Sequence, residues 1–192
     1  VGDAHAMTAT LPSVTVIVPA YNAAATLTPC LTALKAQTYP EALRTVIVVD
    51  DGSTDKTKQI AAEMEVEIVG QSNQGAASAR NLGARKADTD LILFTDSDCE
   101  PLGDWIAKMA APFSDPEVVG AKGFYLTRQS SLTAKFVQAE YEIKCRGLEL
   151  RDSIDFIDTF SAAYRRAVLL ENGGFNSAYL GAMDQDVEHA FL

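Results

Sequence analysis

Apolar, β-branched residues along this chain gather in short runs that end in turn residues, and between the runs apolar positions recur at helical spacing. Residues 14–19 (Val-Thr-Val-Ile-Val-Pro) form the first run and 44–50 the second. A shorter one covers 65–70, a fourth 91–94 and a fifth 118–123. The first, second and fourth are nearly all apolar rather than alternating, as in strands covered on both faces of a parallel sheet. Leu27, Leu31 and Leu34 stand at i, i+4 and i+7 and give one helix face, ending near Gln37 before Pro40. Ser53-Thr54-Asp55 supplies capping chemistry for a second helix with Ile60 and Met64 four apart. Residues 76–87 and 105–111 read as a third and a fourth helix. Strand and helix in alternation predict a doubly wound α/β sheet.

From about Leu126 the rhythm changes. Residues 132–150 form a long amphipathic stretch, followed by 154–163 and the turn Asn172-Gly173-Gly174. Three parts are expected: 1–12 as a tag remnant or unstructured start, 13–125 as the α/β half, and 126–192 as a second half built onto the same sheet. The last residues read as a helix still in progress at Leu192, so a longer natural chain is expected.

Composition narrows the classes. Hydrophobic residues at 47% and charged ones at 22% fit a globular domain and not a disordered one. Sixteen Lys and Arg against 26 Asp and Glu leave a net charge of −10, which supports neither a nucleic-acid surface nor a polybasic membrane patch. Cys30, Cys99 and Cys145 are odd in number and widely spaced, with no Cys-x-x-Cys pair, which argues against a zinc knuckle or a disulfide framework. No stretch reads as a signal peptide or nears the roughly 20 apolar residues of a membrane span. The expected setting is reducing and cytoplasmic, at the cytoplasmic face of a membrane only if further C-terminal residues supply the association.

In open α/β sheets, ligands bind beyond the carboxyl ends of the strands. Pro19-Ala20-Tyr21-Asn22 follows the first strand, Asp50-Asp51-Gly52-Ser53 the second, and Thr95-Asp96-Ser97-Asp98 the fourth. Acidic residues thus collect on one edge of the sheet. Asp96 and Asp98, two apart, face the same way if extended and could share a divalent cation with phosphate oxygens. Alone, an Asp-x-Asp serves equally to shape a turn or cap a helix. Asp50-Asp51-Gly52-Ser53-Thr54-Asp55 is likewise good turn chemistry, but that needs only one of the paired carboxylates and leaves the other for a nucleobase. Gly75–Gly83 opens with small residues suited to close packing and then offers Arg80, which alone reads as a surface charge. Asp184 and Asp186 follow Gly181-Ala182-Met183 and, on a helix, would point in different directions. Helix-terminal acids complementing the macrodipole would look the same.

Taken in order, the segments 16–22, 48–55, 75–83, 95–98, 172–175 and 183–186 resemble the family 2 glycosyltransferases of the GT-A fold. The resemblance implies a GT-A nucleotide-diphospho-sugar transferase fold, with a mostly parallel central sheet flanked by helices. It makes 13–125 the nucleotide-sugar-binding half and 126–192 the acceptor side. It implies an inverting, metal-dependent hexosyl- or N-acetylhexosaminyltransferase acting from a nucleotide-diphosphate donor, UDP-sugar favoured. The acceptor would be a hydroxyl on a glycan, lipid or polysaccharide, as in cell-envelope polysaccharide synthesis. Pro19, Ala20, Tyr21 and Asn22 would line the nucleotide pocket, Asp50 or Asp51 would bond the base, and Arg80 would lie near the base or diphosphate. Asp96 and Ser97 would border the donor, while Asp98, helped by Asp96, would hold Mn²⁺ or Mg²⁺. Asp184 would be the general base.

The chain departs from the family pattern at Met183, where Glu is usual, and at Ala190, where a basic residue is common. The first departure motivates a second reading, a glycosyltransferase-like domain that binds nucleotide sugar without catalysis. A third is a phosphoacceptor signalling domain, in which a strand-end acidic pair binds Mg²⁺ and a later Asp is phosphorylated. Against it, a full apolar strand precedes the Asp-Asp strand, the later acid is doubled, and the region after Leu126 has no counterpart.

Overall fold

The computed structural model describes residues 10–124, 126–127, 130–149, 154 and 157–177. Its strands are β1 (Val14–Ala20), β2 (Arg44–Asp50), β3 (Glu67–Gly70), β4 (Leu91–Thr95), β5 (Gly120–Lys122) and β6 (Ser161–Arg165). They form one sheet in the order β3-β2-β1-β4-β6-β5. β1 is parallel to β2 and β4, and β2 to β3, while β6 runs antiparallel to both of its neighbours. The sheet is therefore mostly parallel, and β6 is its one reversed strand among the described residues. The division expected at 125/126 falls between β5 and β6, two paired strands of this sheet.

Helices α1 (Leu27–Lys35), α2 (Thr57–Glu63) and α4 (Trp105–Ala110) cover one face. There Val14, Val16 and Val18 of β1 meet Leu27, Leu31 and Leu34 of α1 and Ile106 of α4. On the other face Ile17, Ile47, Val49, Ile92 and Phe94 meet α3 (Ala76–Lys86) and α6 (Arg166–Glu171). Both faces of β1, β2 and β4 are thus packed, which is why their sequences do not alternate. Each fully buried Val, Leu or Ile contributes about 1.5–3 kcal/mol. Gly83 lets α3 lie close to the sheet, because a Cβ there would stand 2.6 Å from Ile17 Cγ2 and 3.1 Å from Val49 Cγ2.

Three details differ from the expectation. First, the second helix begins at Thr57, not at a Ser53–Asp55 cap, and the Asp55 carboxylate accepts the Thr57 backbone N–H at 2.9 Å from just outside it. Second, Glu65 takes a left-handed φ of 51°, ending that helix, so β3 starts only at Glu67. Third, in α5 (Leu132–Glu149) the half-buried side is Ala134, Gln138 and Tyr141 with buried Cys145, while Leu132, Phe136 and Ile143 point outward. No described helix is long and apolar enough to cross a membrane.

Candidate active site

The carboxyl ends of the parallel strands lie side by side. Ala20 pairs with Asp50 and Asp50 with Gly70, while Ile17 pairs with Phe94, which puts the last residues of β4 on the same edge. The loops leaving β1 and β2 are stitched together. Asn22 adopts φ 50°, a conformation Asn tolerates better than most residues. Its side-chain oxygen accepts Thr54 N–H at 2.9 Å, and its own N–H donates to Ser53 Oγ at 2.9 Å. Ala23 N–H donates to Thr57 Oγ1 and Ala24 N–H to Asp55 Oδ2. Hydrogen bonding from the Thr57 hydroxyl is the main reason the Asp55 carboxyl is held below its usual range. Pro19 and Ala20 are the last residues of β1, and Tyr21 projects from the edge with half its surface exposed.

The paired acids after β2 are both engaged. Fully buried Asp50 accepts the backbone N–H groups of Gly52 and Ser53 and faces Lys58 Nζ at 3.3 Å. Asp51, also buried, gathers the following loop: Oδ1 accepts Gln71 Nε2 at 2.7 Å and Gln74 N–H at 2.9 Å, and Oδ2 accepts Gly75 N–H at 2.8 Å. Within the chain, then, Asp51 orients the entry to α3, where Gly75 takes φ +88°.

Arg80 is not a surface charge. It is buried in α3, and its Nη2 donates to Asp96 Oδ1 at 2.9 Å. Asp96 and Ser97 are half-buried and Asp98 is exposed. Among the described residues, the one hydrogen bond to the Asp98 carboxylate is a weak one from the Cys99 thiol at 3.8 Å. Of the four strand-end acids, Asp50 and Asp96 have cationic partners, Asp51 has three N–H donors, and Asp98 is left facing solvent.

That arrangement fits a hard cation. Burial first, then Cys99 and the charges of Asp98, Asp96 and Glu100, push the Cys30 thiol up to about 12. Burial and the same two aspartates push Cys99 to about 11. The Asp96 and Asp98 carboxylate oxygens at this edge are hard donors of the kind that suit Mg²⁺ or Mn²⁺. Among the described residues no three acidic, His or Cys groups converge on one point, so a cation here would need phosphate oxygens or water to complete its shell. Asp184 and its neighbours lie outside the described residues.

Sequence reasoning missed two pairings near this edge. Lys122 of β5 forms a buried ion pair with Asp158. Asn81 of α3 exchanges two hydrogen bonds with the backbone of Phe175. The first gave no periodic signal, being one Lys in a three-residue strand. The second had one: Asn is a weak helix former, and its place mid-helix asks for a side-chain partner.

A parallel sheet with acids at the ends of β2 and β4, closed by a reversed β6, defines a GT-A nucleotide-diphospho-sugar transferase fold. The description Glycosyl transferase family 2 matches residues 15–173, and the chain belongs to that family. It is 38% identical over 114 residues to the glycosyltransferase AglE of Haloferax volcanii, covering 56% of this chain and 38% of the relative. It is 34% identical over 144 residues to an N-acetylglucosaminyltransferase of Azorhizobium caulinodans, covering 70% of this chain and 36% of the relative. The chain therefore spans well under half the length of these curated relatives. Among solved structures, the mannosyltransferase PcManGT of Pyrobaculum calidifontis, in complex with GDP-Man and Mn²⁺, superposes with a TM-score of 0.72 at 26% identity. That match covers 88% of this chain and 49% of the other. S. aureus TarS in complex with UDP superposes at 0.66 with 24% identity, over 90% of this chain and 53% of that one, a likeness of fold. Family membership also disposes of the phosphoacceptor reading, and here the acidic pair ends the second strand.

Proposed function

We propose that this domain carries out inverting, metal-dependent transfer of a hexosyl or N-acetylhexosaminyl group from a nucleotide diphosphate, UDP favoured, to a glycan, lipid or polysaccharide hydroxyl. The observation that carries the reading is the contrast at the end of β4: Asp96 is fixed by Arg80 while Asp98 faces solvent with no cationic partner among the described residues. Asp98, with Asp96, would hold Mn²⁺ or Mg²⁺, whose contribution is to neutralise charge on the donor diphosphate. The loops after β1 and β2 would receive the nucleotide, with Tyr21 exposed to stack on the base. Pro19, Ala20 and Asn22 would shape that wall, and Asp50 and Asp51 would keep it rigid and border the base. Asp184 would take the proton of the acceptor hydroxyl as its oxygen bonds to the anomeric carbon. The bond from that carbon to the diphosphate oxygen breaks, and the electron pair leaves with the nucleotide.

Titration calorimetry of the full-length protein with UDP, GDP and dTDP, each with and without Mn²⁺, tests the binding half. Tightening by Mn²⁺ that disappears in Asp98→Asn is expected, and binding indifferent to metal refutes the carboxylate assignment. For the chemical half, Asp184→Asn should abolish transfer and leave UDP affinity intact. Wild-type protein that binds UDP with Mn²⁺ but turns over no UDP-sugar would favour the binding-module reading that Met183 motivates.

A further inference from the structure

The edge of the sheet opposite the carboxylates holds a recess that the proposed chemistry does not use. Pro12 precedes β1, residues 38–40 lead towards β2, and Arg165 ends the reversed β6 beside Leu91, the first residue of β4. Between these points and the end of α4 lies a cavity of about 320 Å³. Leu11, Pro12, Tyr39, Pro40, Ala110 and Phe113 make its walls apolar. Leu11 is 54% exposed, an apolar side chain left open to solvent beside an apolar hollow. The volume falls at the lower end of the range of small-molecule sites.

Arg165 is the one charged residue among the described residues that line the cavity. Its Nε donates to the Val118 carbonyl at 2.8 Å, and its Nη2 donates to the carbonyls of Phe113 at 3.0 Å and Asp115 at 2.8 Å. All three partners are neutral, and among the described residues Nη1 has no partner and the guanidinium no carboxylate. The Asp115 carboxylate accepts the Glu117 N–H instead, and on the Tyr39 side Asp90 is taken up by Ser13. The guanidinium is half-buried and stands over the Phe113 ring at 5.4 Å. A cation braced by three carbonyls at the wall of an apolar hollow, with no acid of its own, is prepared for an anion. One spare nitrogen matches a monoanion better than a phosphate dianion, which points to a carboxylate.

We propose that this recess is a second ligand site, taking a small carboxylate with an apolar body. The body would lie against Pro12, Tyr39 and Phe113 and cover Leu11, and the carboxylate would accept from Arg165 Nη1. Asp96 and Asp98 are on the opposite edge of the sheet, so such a ligand and a nucleotide would be held together and not in competition. The site depends neither on the metal assignment nor on the transfer reaction.

Calorimetric titration of the full-length protein with octanoate and with 1-octanol, which share a chain length and differ in the charged head, tests it. Octanoate is expected to bind one molecule per chain, about tenfold tighter than octanol, and equally well with UDP and Mn²⁺ present. Ala111→Trp, which sets an indole on the exposed rim of the recess, should abolish binding of both. Arg165→Gln should bring octanoate down to the level of octanol. If that variant does not fold, the two ligands and Ala111→Trp still decide. Octanol binding as tightly as octanoate, or no binding of octanoate at millimolar concentration, overturns the proposal. Octanoate binding that survives Ala111→Trp, or that UDP with Mn²⁺ displaces, overturns it too, because the ligand then sits elsewhere. Self-association of the ligand-free protein that Ala111→Trp abolishes, read by sedimentation velocity, would give the recess to a second copy of the chain instead.

Discussion

Gly83 and Gly147 both lie inside helices, and the same substitution at each should have opposite effects. Replacing Gly by Ala in a helix ordinarily stabilises by up to about 1 kcal/mol, since Gly loses more backbone entropy on folding. At Gly147, exposed in α5 with nothing within 4 Å of the place a methyl would take, that gain should be realised. At Gly83 the methyl would sit 2.6 Å from Ile17 Cγ2 and 3.1 Å from both Ile17 Cδ1 and Val49 Cγ2. Carbon atoms rest at about 3.5–4.0 Å, so α3 has to rise by roughly 1 Å or the two strand residues have to shift. Both strand residues are completely buried in the central strands and have little room to give. Overpacking of this kind costs about 1–3 kcal/mol, which exceeds the helix-propensity gain and leaves a net loss of about 1 kcal/mol. For a chain of this size 1 kcal/mol moves the unfolding midpoint by about 2–4 °C. Differential scanning calorimetry should therefore find Gly83→Ala lower by that amount and Gly147→Ala higher by a little less. Because α3 carries Arg80, the partner of Asp96, Gly83→Ala should also weaken Mn²⁺-dependent UDP binding, while Gly147→Ala should not. Midpoints moving in the same direction would refute the close-contact account of α3.

Asp51→Asn should cost about 1–3 kcal/mol, because one oxygen becomes an NH₂ and the three N–H donors of Gln71, Gln74 and Gly75 can no longer all be accepted; urea unfolding measures it. Lys122→Met leaves the largely buried Asp158 carboxylate without its cation and should cost about 3–5 kcal/mol, most of it recovered in the double variant Lys122→Met/Asp158→Leu. A second substitution that recovers nothing would show that the pair is not the source of the loss. The Asp90 carboxyl is held below its usual range, chiefly by the Ser13 hydroxyl and then by the Ser13 N–H. A depressed folded-state value means that its stabilisation is present above the unfolded value of about 3.9 and is lost as pH falls from there through the lower folded-state value. Urea midpoints of wild type and Asp90→Asn should therefore differ at pH 7 and draw together as the pH falls below about 4; a gap that widens with acid reverses the sign and refutes the assignment.

The strands that lie deepest were the most legible. β1, β2 and β4 are covered on both faces, and an unbroken apolar run is the direct imprint of that environment. β6 was not legible, because Ser161-Ala-Ala-Tyr-Arg165 carries small residues of weak strand preference. It is a strand because β4 and β5 present edges to it, and that information resides some 40 to 70 residues upstream. The site divides in the same way. The acids at the strand ends were visible from position alone, since every one follows an apolar run. Their division of labour was not: which carboxylate gathers a loop, which meets Arg80 and which faces solvent depends on donors brought together by the fold. Arg80 illustrates the limit, as its neighbours in sequence are small and only the return of β4 beside α3 supplies Asp96.

The placing of β6 has a consequence for how the chain is made. β1 to β4 are complete once residue 95 has been synthesised, and they can pair as soon as they emerge from the ribosome. The outer edge of β4 then has no partner until residues 161–165 appear, because β5, although made earlier, bonds to β6 and not to β4. At roughly 5–20 residues per second, several seconds pass with one edge of a largely apolar strand unpaired on the nascent chain. Newly made protein should be most exposed to strand-pairing with other chains in that interval, and a ribosome stalled between 96 and 160 should recruit chaperones that one stalled far beyond 165 does not.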